Sequence, residues 1–330
     1  HRRARGVVAR GGRTQCPAPF SREPQMMKMT VVRPWAVRLS LALLVCGCAQ
    51  PSPEPELSPK DEAIQTPVAT SAYVSFPALG TPAPLQVAGQ LRLPRSASGK
   101  LPAVVIAHGS GGVDSRGRYY ARALNEAGIA TLEIDMWSAR GLSGGSEGRP
   151  RAVSETLPDA YGALRFLSAH PAIDGARIGI MGFSWGGVMS MLTATRKYAA
   201  GAEPGQRFVA HAPLYPVCWV YNHVPGYEFG DLTGAPLFLQ AGTADVYDAP
   251  DSCETLLASL SPQDRANLSL KMYEGATHGW DRLESAIQVS DPYAHQGRGG
   301  PVDIAPSPES ARESRRAVVE FFQRTLAPVP

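Results

Sequence analysis

Ser184, Asp245 and His278 are the residues of this chain whose types and spacing point to a reaction. Ser184 lies in the run RIGIMGFSWGG, Arg177 to Gly187, where an apolar strand leads directly into the pattern G-x-S-x-G. A serine at the tip of a sharp strand-to-helix turn has its hydroxyl pushed away from the backbone. Only glycines on either side let strand and helix approach that closely. The turn also frees the Trp185 amide at the start of the next helix, where it is able to donate to an oxyanion. The pattern alone also fits a tight turn whose serine caps a helix, so it needs partners to carry chemistry.

A serine hydroxyl is a weak nucleophile at neutral pH. It needs a base to take its proton and a carboxylate to orient that base. An expected strand at Leu237 to Ala241 runs into Gly242, Thr243, Ala244 and Asp245, and another at Leu268 to Tyr273 runs into Glu274, Gly275, Ala276, Thr277 and His278. Both side chains fall where the carboxyl end of a strand delivers a catalytic group. Asp248 and Asp251 compete with Asp245, but they sit later, where they suit the cap of a helix starting near 251. His108, His170, His211, His223 and His295 compete with His278, which alone follows the acid and lies just past the last expected strand.

The third element is the loop His108, Gly109, Ser110, Gly111, Gly112, which follows an apolar strand at Ala103 to Ala107. Such a loop aims backbone amides at a developing negative charge. A dinucleotide-binding reading of the same glycines fails because a G-x-G-x-x-G run starting at Gly109 requires glycine where Asp114 stands. No pair of histidines or cysteines has metal-ligand spacing, and neither a metal nor a cofactor is expected.

To hold these groups, the chain alternates short apolar runs with longer amphipathic ones from Ala72 onward, the pattern of parallel strands joined by crossover helices. Strands are expected near 71–76, 85–93, 103–107, 130–134, 177–181, 208–212, 237–241 and 268–273. Helices are expected near 117–127, 152–169, 185–197, 251–260 and 308–326. The fold class is therefore α/β, with a mostly parallel sheet of about eight strands flanked by helices. Two long stretches, 221–236 and 283–306, read as irregular and as walls of a substrate cleft.

Charge is unevenly placed. Residues 1–47 carry nine Lys and Arg against Glu23, so the formal charge of +3 for the whole chain leaves the remainder acidic. A nucleic-acid footprint is unsupported in the folded part. Residues 29–48 combine basic residues, a short apolar run from Leu39 to Val45 and small residues, the signature of a secretory signal too short to span a membrane. The first methionines stand at 26, 27 and 29, so residues 1–25 are expected to lie upstream of the start or to be cleaved. Val45, Cys46, Gly47 and Cys48 resemble a bacterial lipobox with Cys48 as the lipidated residue, and Ala49 by that resemblance favours the outer membrane. Residues 48–70 then form a proline-rich tether and 71–330 the folded domain. In an oxidising compartment Cys218 and Cys253 are either a disulfide or two buried thiols.

Together, the Gly-Phe-Ser184-Trp-Gly-Gly, Gly-Thr-Ala-Asp245 and Tyr273-Glu-Gly-Ala-Thr-His278-Gly-Trp segments resemble the dienelactone hydrolase branch of the α/β-hydrolase superfamily. The likeness runs from about residue 72 to Phe322. It implies an α/β-hydrolase fold, a Ser184–His278–Asp245 triad and an oxyanion hole made by the amides of Ser110 and Trp185. Dienelactone hydrolases proper use a cysteine where this chain has Ser184 and a glutamate where it has Gly109. The expected activity is thus that of a serine esterase of broader carboxylic-ester range, acting through an acyl-enzyme. The competing expectations are a lipid-anchored binding protein that keeps the fold without turnover, and a peptidase of the same superfamily.

Overall fold

The computed structural model describes residues 68–95 and 99–328. Cys48, the signal segment and most of the tether lie outside the described residues. Among the described residues, no helix is long and apolar enough to cross a membrane.

The strands of the main sheet are β1 (Ala69–Pro77), β2 (Gln86–Pro94), β3 (Leu101–Ala107), β4 (Ala130–Asp135), β5 (Ile173–Phe183), β6 (His211–Leu214), β7 (Leu237–Gly242) and β8 (Leu268–Tyr273). They lie in the order β1-β2-β4-β3-β5-β6-β7-β8. β2 pairs antiparallel with β1 and β4, and the remaining pairings are parallel. This is the α/β-hydrolase architecture expected from the sequence. The longer helices are α1 (Ser115–Glu126), α2 (Leu157–Ala169), α3 (Trp185–Thr193), α4 (Ser252–Ser259) and α5 (Pro308–Thr325).

β3, reading LPAVVIA, shows why helices cover both faces. Successive side chains of a strand point to opposite sides, and here both sides are apolar. Ala103, Val105 and Ala107 join one buried cluster with Leu164 and Leu167 of α2 and Met189 and Leu192 of α3. Val104 and Ile106 join the other with Tyr120 and Leu124 of α1 and Phe321 and Phe322 of α5. Capping sets where these helices begin. The Asp114 carboxylate accepts the Arg116 amide before α1, and the Ser307 hydroxyl accepts the Ser310 amide before α5, where Pro308 opens the first turn.

Three local expectations shift. β6 runs from His211 to Leu214 rather than from 208, although the chain entering it is already bonded to β5, with the Val209 amide donating to the Ile178 carbonyl and the Ile180 amide to the Ala210 carbonyl, each at 2.9 Å. The helix expected over 185–197 stops at Thr193; Thr195 then caps a separate turn at Arg196–Ala199 by accepting the Tyr198 amide. The stretch 283–306 is not wholly irregular: β9 (Ile287–Asp291) and β10 (Gly300–Ile304) pair antiparallel, with Val289 opposite Val302 and Ile287 opposite Ile304.

Candidate active site

The Ser184 position is built by close backbone approach. Ser184 stands between β5 and α3 at φ 50° and ψ −107°, a strained conformation for a residue with a side chain. A Cβ on Gly182 would lie 2.3 Å from the Gly186 carbonyl carbon, and one on Gly186 would lie 2.1 Å from the Ala107 carbonyl oxygen. Side chains at either position would force strand and helix apart and relax the turn that presents the serine.

Asp245 follows β7 and His278 follows β8, and the structure joins them: His278 Nδ1 lies 2.7 Å from Asp245 Oδ2, with both side chains buried. The Tyr247 amide donates to the other carboxylate oxygen at 3.0 Å, so the carboxylate is held at both ends. His278 and Ser184 line the same cavity, of about 280 Å³, together with Ser110. Of the rival acids, Asp248 is already committed. Asp248 accepts the amides of Cys218 and Trp219 at 2.8 and 2.7 Å, and Asp251 stands at the start of α4. Among the rival histidines, His211 is buried against the Ser190 carbonyl, and His170 accepts the Ala172 amide.

The loop after β3 packs on the start of α3, the Gly186 amide donating to the His108 carbonyl at 3.1 Å. The His108 ring has its protons assigned by its neighbours. Its Nε2 accepts the Met136 amide at 3.0 Å, so its Nδ1 carries hydrogen and donates to the Gly109 carbonyl at 2.7 Å. The Gly112 amide donates to the same carbonyl at 3.0 Å. Because a trans peptide sets N–H and C=O on opposite edges, these two bonds leave the Ser110 N–H facing away from them. Burial lowers the His108 pKa to about 4, which keeps the ring neutral and this tautomer fixed. The Trp185 amide, at the first turn of α3, has no intrahelical acceptor.

Sequence reasoning missed what stands on either side of His278. The Tyr215 ring meets the imidazole edge-on at 4.8 Å, and the Tyr247 ring meets it at 4.4 Å. Each tyrosine is associated with a buried aspartate: the Tyr215 hydroxyl donates to Asp281, and Tyr247 lines the cavity of about 280 Å³ together with Asp291. Each of these chains includes an arginine. Arg116 Nη1 donates to the Tyr215 hydroxyl at 3.2 Å, and Arg149 Nη1 lies 2.8 Å from Asp291. Burial alone would raise the Asp291 carboxyl; the Arg149 bonds and charge hold it below the usual carboxylate range. At Gly109 a Cβ would lie 3.2 Å from Nη2 of the Arg116 guanidinium and 3.3 Å from the Phe183 carbonyl oxygen, a tight fit that small shifts would relieve. In the sequence these arginines and aspartates read as scattered charges; only their burial sets them apart.

Cys218, on the loop after β6, and Cys253, in α4, are joined by a disulfide with Cα atoms 5.0 Å apart. Asp248 comes close enough for the three to resemble a metal set. The sulfurs are spent on each other, however, and the carboxylate on two amides, so the donor set does not suit a cation.

A second, smaller cavity of about 40 Å³ also reaches Ser184, lined by Trp185, Val188, Val217, Val220, Tyr227 and Tyr293 among others. Ser184, Tyr247 and Asp291 line both cavities.

With this geometry in place, similarity to known proteins becomes informative. A family model described as "Dienelactone hydrolase family" matches residues 87–326. A Bradyrhizobium protein described as "Probable 2-oxo-3-(5-oxofuran-2-ylidene)propanoate lactonase" is 30% identical over 104 residues, 29% of this chain and 42% of that protein. The "Uncharacterized peptidase YtmA" of Bacillus subtilis is 49% identical over 55 residues, 17% of this chain and 21% of that protein. The chain thus spans less than half the length of these curated relatives. Among solved structures, Thermogutta terrifontis esterase 2 phosphorylated by paraoxon superposes with a TM-score of 0.53 at 16% identity, covering 80% of this chain and 97% of that one. That last likeness is one of fold.

Proposed function

Because the chain belongs to the dienelactone hydrolase family, a family of hydrolases, we propose that it is a serine esterase that cleaves carboxylic esters through an acyl-enzyme. The observation that carries this reading is the Asp245–His278 hydrogen bond at the rim of the cavity that Ser184 and Ser110 also line. Ser184 Oγ attacks the ester carbonyl while His278 Nε2 takes its proton. Asp245 holds Nδ1–H and steadies the imidazolium. The amides of Ser110 and Trp185 receive the oxyanion. His278 then returns the proton to the departing alkoxide, and a water repeats the sequence on the acyl-enzyme.

A fluorophosphonate tests the assignment, since an activated serine forms a stable phosphyl adduct; the paraoxon-treated esterase of similar fold carries such a phosphoryl group. The wild-type domain should gain one adduct that Ser184→Ala lacks. Ser184→Ala and His278→Ala should each lower acetate-ester turnover by about 10⁴-fold or more. Near-normal turnover in either variant would overturn the assignment. The peptidase likeness favours a second reading, which matched amide and ester substrates separate. Export and anchoring through Cys48 belong to the same proposal, supported by a disulfide that suits an oxidising compartment. Metabolic incorporation of labelled palmitate that Cys48→Ala abolishes is the expected result.

A further inference from the structure

The two cavities beside Ser184 differ in size and in lining, and His278 borders only the larger. That asymmetry assigns them. The group that protonates the leaving oxygen must stand beside it, so the alcohol portion of an ester departs through the cavity that contains His278. The acyl portion then points into the smaller one. We propose that this division makes the protein selective for short-chain acyl groups joined to larger alcohols, an inference that rests on the ester-hydrolase reading above.

Size decides the acyl limit. The side assigned to the acyl group, at about 40 Å³, is narrowed by Val153, Val188, Val217 and Val220, which suits a short chain. The alcohol side, at about 280 Å³, is several times larger. Its lining includes Ile287 and Val289 of β9 and Ile304 of β10, so the hairpin forms an apolar wall there. Between the cavities stands the Arg149–Asp291 pair, its guanidinium 5.5 Å from the Trp185 ring and 5.7 Å from the Tyr293 ring. The pair is bidentate and almost wholly buried, which makes the partition a fixed one.

Val217 marks the acyl side as built rather than incidental. It is a β-branched residue at φ 60°, a conformation such residues avoid, and its side chain lines the small cavity. The next two residues hold it there: Asp248 receives the amides of Cys218 and Trp219, and the Cys218–Cys253 bridge ties the loop to α4. Glycine accepts this backbone conformation without strain, so Val217→Gly removes the wall while suiting the turn.

Two substrate series test the proposal. The first is p-nitrophenyl acetate, butyrate, octanoate and laurate; the second is the acetates of methanol, butanol and benzyl alcohol. Wild-type kcat/KM should fall by about 100-fold or more from butyrate to octanoate, and the alcohol series should stay within about tenfold. Val217→Gly should raise the octanoate-to-acetate ratio by about tenfold. If the protein takes a fluorophosphonate on Ser184 and turns over acetates, yet hydrolyses octanoate within about threefold of acetate, the partition is wrong and the esterase reading stands. An unchanged ratio in a folded Val217→Gly variant equally removes Val217 as the acyl wall. Absence of both labelling and acetate turnover overturns the esterase reading and the partition with it.

Discussion

His108 donates from Nδ1 to the carbonyl of Gly109, the residue that follows it, at 2.7 Å, because the Met136 amide already occupies its other nitrogen. The bond fixes the peptide whose opposite edge carries the Ser110 N–H. His108 therefore acts as a positioning residue for one of the two proposed oxyanion donors.

His108→Ala should lower kcat on an acetate ester by about 10- to 100-fold and leave KM within about twofold, since the oxyanion forms only in the transition state. His108→Asn should recover part of the loss, because its side-chain amide reaches toward the Gly109 carbonyl. Steady-state kinetics on folded variants check this. A change confined to KM would assign the histidine to substrate binding.

Arg149 and Asp291 make a second checkable pair. Their side chains are 9% and 2% exposed, so removing one leaves an uncompensated charge out of water. Arg149→Met or Asp291→Leu alone should cost about 3–5 kcal/mol of stability, and the double variant much less than the sum. Urea unfolding of the four proteins measures the coupling. Strict additivity would show that the pair is energetically independent despite its contact.

The difference between what the sequence disclosed and what it hid follows from range. Ser184 was legible because its requirements are local: a strand, two glycines and a helix start within eleven residues, Arg177 to Gly187. Asp245 and His278 were legible because each trails an apolar strand. Tyr215 and Asp281 are 66 positions apart and Arg116 and Tyr215 are 99 apart, so no window of sequence contains the network behind the histidine. The hairpin β9–β10 escaped for another reason. Its strands are five residues each, and the connection holds Pro292 and Gly297, which reads as irregular chain.

Acid should weaken the fold through two histidines. Burial holds His108 and His211 near a pKa of about 4, against 6.5 for an unburied histidine. Between these values the unfolded chain binds protons that the native state refuses, so stability is full above about pH 7 and falls as pH drops from about 6.5 toward 4. The loss approaches about 3 kcal/mol per histidine at the acid end. Asp248 opposes this. Burial and then the Asp245 charge raise it to about 7, so its native carboxyl keeps a proton that the unfolded chain releases above 3.8. That contribution is present in acid and is lost as pH rises through about 7. Burial raises Glu133, Asp159 and Asp281 in the same sense as Asp248, so the two histidines are read by difference, as the part of the change in urea midpoint from pH 7 to pH 5 that their removal cancels. His211→Asn should cancel its share of that change; an unchanged slope would show that His211 does not titrate in this range.

The disulfide should matter to both stability and selectivity. Cys218 and Cys253 close a separation of 35 residues, and both are buried. Cross-linking restricts the unfolded chain, so replacing both with alanine should cost about 2–4 kcal/mol. Cys218 also follows Val217 directly, and the loop it anchors carries Val220, a second wall of the small cavity. Loosening that loop should let longer acyl chains enter while the Asp245–His278 pair, held from β7 and β8, stays in place. The double alanine variant is therefore expected to unfold at lower urea and to hydrolyse octanoate better relative to acetate, with acetate kcat little changed. Intact mass of the unreduced wild type, lower by two hydrogens than the reduced form, establishes the bridge first. A variant that loses stability without any change in chain-length preference would leave the bridge a structural tie and assign the acyl wall to Val217 and its neighbours alone.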